Sequence, residues 1–134
     1  VIIDTSAWIE YLRATHTPAH RRLASALQRR ARVYVLPPIR QEVLQGARNP
    51  ADFLRLQRLM DQFPEPDLPP ARELATLAAR LYAQCRWQGI TIRSPNDCLI
   101  AAGCLFSRQP LLAHDRDFGH LAGIEPRLKL VSDA

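Results

Sequence analysis

The chain has 134 residues, 47% of them hydrophobic and 23% charged, which fits one domain over residues 1–134 with a single core and leaves no disordered segment or linker. The longest nearly apolar stretch, Cys98 to Phe106, is about half of what a membrane-spanning helix needs, and no basic region precedes an apolar one at the start, so a cytosolic protein without a membrane role is expected. Eighteen Lys plus Arg against thirteen Asp plus Glu leave +5, nearly all of it arginine since Lys129 is the only lysine; arginine forks phosphate oxygens, so the excess suits a polyanionic partner, although a solvated Arg-rich surface gives the same number.

Val1-Ile2-Ile3 is short, apolar and without alternation, as expected of a strand buried on both faces of a parallel sheet. It ends at Asp4, and Thr5 or Ser6 can cap the helix that carries Trp8, Ile9 and Leu12. A second helix is expected from Pro18 to Arg32, with Leu23, Ala26 and Leu27 on one side. Val33 to Leu36 then reads as another buried strand. Pro37-Pro38 open a helix closed by Gly46, which places Glu42 about one turn in. Residues 50 to 62 look helical, the proline-rich stretch 64 to 70 interrupts the pattern, and a long helix runs from about Ala71 to Gln88 with Gly89 as its stop.

Ser94 to Asp97 resembles a helix entry, and the run that follows is apolar nearly all round, so this helix belongs in the core with Asp97 in its first turn. Pro110 to Ala113 forms a third strand that ends at His114-Asp115. A short helix near Phe118 to Ala122 and a fourth strand at Leu128 to Val131 complete the chain. Strands alternating with helices indicate an α/β fold with a mostly parallel sheet. The odd set Cys85, Cys98 and Cys104 offers neither a disulfide framework nor a CxxC metal site and reads as buried reduced thiols.

The acids carry the chemistry. In open parallel sheets the crevice beyond the carboxyl ends of the strands is where loops and helix starts converge. Asp4 and Asp115 follow strands, Asp97 opens a buried helix and Glu42 lies one turn past a strand. Each alone is ordinarily a cap, a turn residue or a solvated side chain, but four independent caps is the less economical account. If they meet at about 5 Å, each ionised pair repels by roughly 3 kcal/mol at an effective dielectric near 20. Raised pKa values can relieve this. So can a hard cation, and an all-oxygen donor set suits Mg²⁺ or Mn²⁺, whereas zinc asks for His or Cys. Such an ion can activate water and stabilise charge on a phosphate. No Ser-His-Asp series, GxGxxG, GxxxxGK[ST] or HExxH motif is present.

Four blocks in order, Ile2-Ile3-Asp4-Thr5-Ser6-Ala7-Trp8-Ile9-Glu10-Tyr11-Leu12, Gln41-Glu42-Val43-Leu44-Gln45-Gly46, Asn96-Asp97-Cys98-Leu99-Ile100-Ala101-Ala102 and Leu111-Leu112-Ala113-His114-Asp115-Arg116-Asp117-Phe118, resemble PIN domains of the VapC toxin type. The resemblance implies a five-stranded parallel sheet between helices and a Mg²⁺- or Mn²⁺-dependent endoribonuclease. It also implies a toxin role in a toxin-antitoxin pair, a VapB-type antitoxin as partner in a hetero-oligomer, and homodimers. Asp4, Glu42, Asp97 and Asp115 match the family's acidic positions, with Asp4, Asp97 and Asp115 expected as metal ligands and Glu42 expected to position a water or a second ion.

For Asp117, capping the helix that holds Phe118 has the edge over a place beside the metal. His114 has only a weak claim to a base role. Thr5 or Ser6 can orient Asp4 through a hydroxyl. His16 and His20 are expected to face solvent. Trp8, Tyr11 and Leu12 form a stripe more often core than interface, and an antitoxin groove there is a hypothesis. The alternatives are a catalytically silent module of the same fold that binds RNA or protein, and, ranked lower, a phosphatase-like or receiver domain. DNA remains a substrate-level alternative.

Overall fold

The computed structural model describes residues 1–131. In chain order these form β1 (Ile2–Ile3), α1 (Thr5–Leu12), α2 (Pro18–Gln28), α3 (Pro37–Gln45), α4 (Pro50–Met60), α5 (Ala71–Trp87), α6 (Pro95–Ser107), β2 (Leu111–Leu112) and α7 (Asp117–Ile124). The α/β class and the parallel pairing expected from the alternating pattern are present. β1 and β2 run parallel with Ile2 opposite Leu111 and Ile3 opposite Leu112.

The sheet is smaller than the five strands expected. Among the described residues it has two strands, flanked on either side by one parallel bridge, Ile2 with Tyr34 and Leu111 with Leu130. Main-chain bonds from Tyr34 to Val1 O (2.9 Å) and from Val131 to Leu111 O (2.8 Å) hold these segments alongside. The ladders stay short because helices interrupt them. α1 begins two residues after β1, and the extended segment at 33–35 runs into Pro37 at the start of α3, where proline has no N–H to continue a ladder.

Two helix ends also differ from expectation. α2 stops at Gln28 rather than Arg32, and Arg30 takes φ 56°, turning the chain so that Tyr34 can pair beside β1. α1 is capped by Asp4, whose side chain accepts from Ser6 N, and not by Thr5 or Ser6. α5 ends as expected, with Gly89 at φ +81° just beyond it, a left-handed backbone that glycine adopts without penalty.

α6 is the central helix, with Cys98, Ile100, Ala101, Ala102 and Cys104 all buried. It packs along α5 on one side and approaches α3 and α7 on others, which explains a sequence apolar nearly all round. Gly103 permits the close approach to α3: a Cβ there would lie 2.8 Å from Leu36 Cδ1. Trp8 is fully buried and its ring packs 5.4 Å from that of Phe63. The hypothesis of a partner groove on this stripe therefore loses its main residue to the core. The three cysteines are free and buried, and burial pushes the Cys98 and Cys104 thiols up to about 12. No helix among the described residues is long and apolar enough to cross a membrane.

Candidate active site

β1 delivers Asp4 to the point where α1 begins. Its main-chain N–H donates to Leu112 O at 2.8 Å, pinning it to the end of β2. One oxygen, Oδ2, accepts from the Ser6 N–H at 3.0 Å and from the Ser6 hydroxyl at 2.5 Å. That hydroxyl in turn accepts from His114 N at 2.9 Å, so Ser6 ties the end of β1 to the residue that precedes Asp115. Among Thr5 and Ser6, the orienting hydroxyl is that of Ser6. Among the described residues Thr5 Oγ1 and Glu42 Oε1 are buried without a hydrogen bond of regular geometry, and the Thr5 hydroxyl lies near enough to Glu42 to counter part of the rise in its carboxyl.

Asp97 sits in the first turn of α6 and is buried. Its carboxylate accepts no hydrogen bond among the described residues. Asp115 follows β2, and its Oδ1 accepts from Asp117 N and from Arg93 Nη2, both at 2.9 Å. Asp117 is the first residue of α7, and its Oδ2 accepts from Arg93 N at 3.1 Å and Arg93 Nε at 3.2 Å.

The charges divide unevenly. Burial pushes Asp97 up to about 7, and Asp4, Asp115, Glu42 and Asp117 add to the rise in that order. The charges of the other three expected acids thus all act on Asp97. Burial also raises Asp4 against the pull of Ser6, and burial followed by the Asp4 charge raises Glu42. Asp117 behaves in the opposite way. Burial pushes it upward, but the main-chain and side-chain donors of Arg93 together with its charge outweigh that and hold the carboxyl below the usual range.

Asp97, Asp115 and Asp117 each offer an oxygen within 4.8 Å of the others. This tight group retains two of the three expected ligands and has Asp117 where Asp4 was expected; Asp4 stands next to it as the acid acting most strongly on Asp97. The residues fit a hard divalent cation. Every donor is oxygen, and Glu42 Oε1 is a buried polar atom that the described residues leave without a hydrogen bond of regular geometry.

One member of the site, Arg93, escaped the sequence reading, and another, Asp117, was weighed there with capping given the edge. Asp117 does not cap α7; the bond to its N–H comes from the Asp115 carboxylate, and the spacing Asp115-Arg116-Asp117 was the available signal. Arg93 gave none, because it reaches Asp115 and Asp117 across 22 and 24 residues of chain. His114 is turned toward Glu10, with Nε2 at 3.2 Å from Oε1. His16 is exposed as expected, but half-buried His20 receives the His16 N–H on Nδ1 at 2.8 Å.

Beside Glu42 a cavity of about 480 Å³ opens between α1, α3 and α4, with Arg13, Arg48 and Arg55 on its walls. Arg48 and Arg55 are steadied there by buried Asp52, at 3.4 and 2.7 Å. Cationic walls next to an acidic centre suit a phosphate chain whose reacting unit lies at the acids.

Residues 1–124 match the family model of the PIN domain. Over 127 residues the chain is 39% identical to a VapC ribonuclease of Mycobacterium bovis and to ribonuclease VapC11 of Mycobacterium tuberculosis, covering 92% of this chain and 92% of each relative. Among solved structures, VapBC2 from Rickettsia felis bound to a DNA fragment from their promoter has a similar fold, with a TM-score of 0.74 over 99% of this chain and 98% of that chain at 14% identity.

Proposed function

The chain belongs to the PIN-domain family, among relatives that are VapC ribonucleases, and from that premise we propose that it is a Mg²⁺- or Mn²⁺-dependent endoribonuclease, the toxin of a type II toxin-antitoxin pair. Its substrate is tRNA or another structured RNA. Its partner is a VapB-type antitoxin that blocks cleavage within a hetero-oligomer, and the chain is a single cytoplasmic domain over residues 1–134 that forms homodimers. The observation that carries this reading is Asp97: a buried carboxylate with no hydrogen bond among the described residues, with Asp115 and Asp117 within 4.8 Å and the charges of Asp4 and Glu42 acting on it.

Asp4, Asp97 and Asp115 hold the ion. Asp4 Oδ2 is committed to Ser6 and Asp115 Oδ1 to Asp117 N and Arg93, which leaves the second oxygen of each for coordination. A Mg²⁺ or Mn²⁺ held there would offset the crowded negative charge and would supply the Lewis acidity that activates water and stabilises charge on a phosphate. Glu42, whose Oε1 is buried without a hydrogen bond of regular geometry among the described residues, orients the attacking water. Arg13, Arg48 and Arg55 hold flanking phosphates along the cavity wall.

Incubating the protein with total RNA in Mn²⁺, with and without excess chelator, and sequencing the new ends tests the reading and identifies the target. Discrete cleavage sites that vanish with chelator, and with the cognate antitoxin, are expected. Cleavage indifferent to chelator would overturn the metal-dependent assignment.

A further inference from the structure

The acids form two half-sites that share Asp97. On one side stand Asp4, whose Oδ2 accepts from Ser6, and Glu42; among the described residues no arginine or lysine pairs with either carboxylate. On the other stand Asp115 and Asp117, and their compensation is already built in. The Arg93 guanidinium reaches Asp115 Oδ1 through Nη2 at 2.9 Å and Asp117 Oδ2 through Nε at 3.2 Å. The Arg93 main-chain N–H fastens the same Asp117 oxygen at 3.1 Å. Of the three carboxylates whose oxygens lie within 4.8 Å of one another, Asp97, Asp115 and Asp117, two thus already carry an arginine, and Asp97 does not.

We propose that Arg93 is a resident cation that takes the place of a second metal ion, so that the centre holds one divalent ion per chain. A two-ion phosphodiesterase places its cations about 4 Å apart, where they share a bridging carboxylate. Asp97 is the acid common to the two half-sites, within 4.8 Å of Asp115 and Asp117 and acted on by the Asp4 and Glu42 charges. A fixed guanidinium in the second place supplies one positive charge in a planar fork and has no open coordination position for water. Arg93 is therefore a positioning residue: it orients one oxygen of Asp115 and Asp117 and limits the ion count. Its side chain is 62% exposed, so it is held by these bonds and not by packing, and its charge can be removed without opening the core.

The inference rests on the metal-dependent reading above, and the ion count separates the two. The full chain, stripped of metal with chelator and dialysed, is titrated with Mn²⁺ by calorimetry and by the loss of the free Mn²⁺ signal in electron paramagnetic resonance. One ion per chain is expected for the wild type and for Arg93→Lys. Two are expected for Arg93→Gln, with a spin-coupled spectrum that the wild type lacks. Two ions in the wild type, or one in a folded Arg93→Gln protein, overturns the inference and leaves the metal reading standing. No binding to any of the three proteins at millimolar Mn²⁺ overturns both. Thermal unfolding followed by circular dichroism establishes that Arg93→Gln is folded; should it not fold, the wild-type count still decides the claim of a single ion.

Discussion

Ser6 holds one oxygen of Asp4 from two sides, its N–H donating to Oδ2 at 3.0 Å and its hydroxyl to the same atom at 2.5 Å. The hydroxyl also accepts the His114 N–H, so one side chain sets the rotamer of Asp4 and the spacing between the ends of β1 and β2. Such supports of a ligand commonly contribute about 10–100-fold to metal affinity or activity. Ser6→Ala is expected to lower Mn²⁺ affinity and cleavage within that range, with a stability loss of about 1 kcal/mol. Unchanged Mn²⁺ affinity by calorimetry would contradict the role given to Ser6.

The acids also set how stability varies with pH in the metal-free protein. Asp97 is raised from 3.8 to about 7 on folding, so between those values the folded state binds more protons than the unfolded one and stability falls as pH rises. The effect is complete above about 7 and amounts to as much as about 4 kcal/mol at 1.36 kcal/mol per unit. Asp4 and Glu42, also raised, act in the same sense, while lowered Asp117 acts in the opposite sense at acid pH. Thermal unfolding in chelator from pH 4 to 8 is expected to show a falling Tm that Asp97→Asn flattens. A Tm rising across that interval in both proteins would contradict it.

Gly103 allows α6 to approach Leu36, at the start of α3. Gly103→Val places branched carbon where the first added atom already lies 2.8 Å from a buried side chain, an overpacking that typically costs about 1–3 kcal/mol. Because α6 carries Asp97 and α3 carries Glu42, the substitution is expected to lower cleavage as well as the urea midpoint. A midpoint equal to wild type would show that the two helices can separate freely.

Arg13 lines the cavity beside Glu42. Arg13→Ala is expected to raise KM for RNA with kcat unchanged, and to reduce the slope of log affinity against log salt by about 0.7 for single-stranded RNA. Binding measured from 50 to 200 mM salt checks this, and an unchanged slope would remove Arg13 from the phosphate path.

Much of this was legible from local pattern. The helix starts at Pro37, Pro50 and Pro95, the stop at Gly89, and the burial of α6 follow from proline, glycine and apolar periodicity, which act over a few residues. The place of Asp4, Asp97 and Asp115 at element ends came from the same signals. The extent of the sheet did not, because a run of β-branched and aromatic residues such as Val33-Tyr34-Val35 favours extended backbone without saying how many pairs its neighbours allow; here it makes one bridge. The Arg93 fork on Asp115 and Asp117 was invisible for a related reason: it is a long-range pairing with no periodic trace. Asp117 was misjudged because a first-turn acid looks the same whether it caps a helix or faces a neighbouring carboxylate.

On the proposed function, a divalent ion held around Asp97 drives RNA cleavage. The direct measurement compares wild type and Asp97→Asn for cleavage of the identified RNA across a Mn²⁺ titration, with circular dichroism establishing that both are folded. The wild type is expected to cleave in proportion to bound Mn²⁺, and the folded Asp97→Asn protein to lose ion binding and cleavage together. Cleavage by the variant at the wild-type rate and with the wild-type Mn²⁺ dependence would contradict the claim.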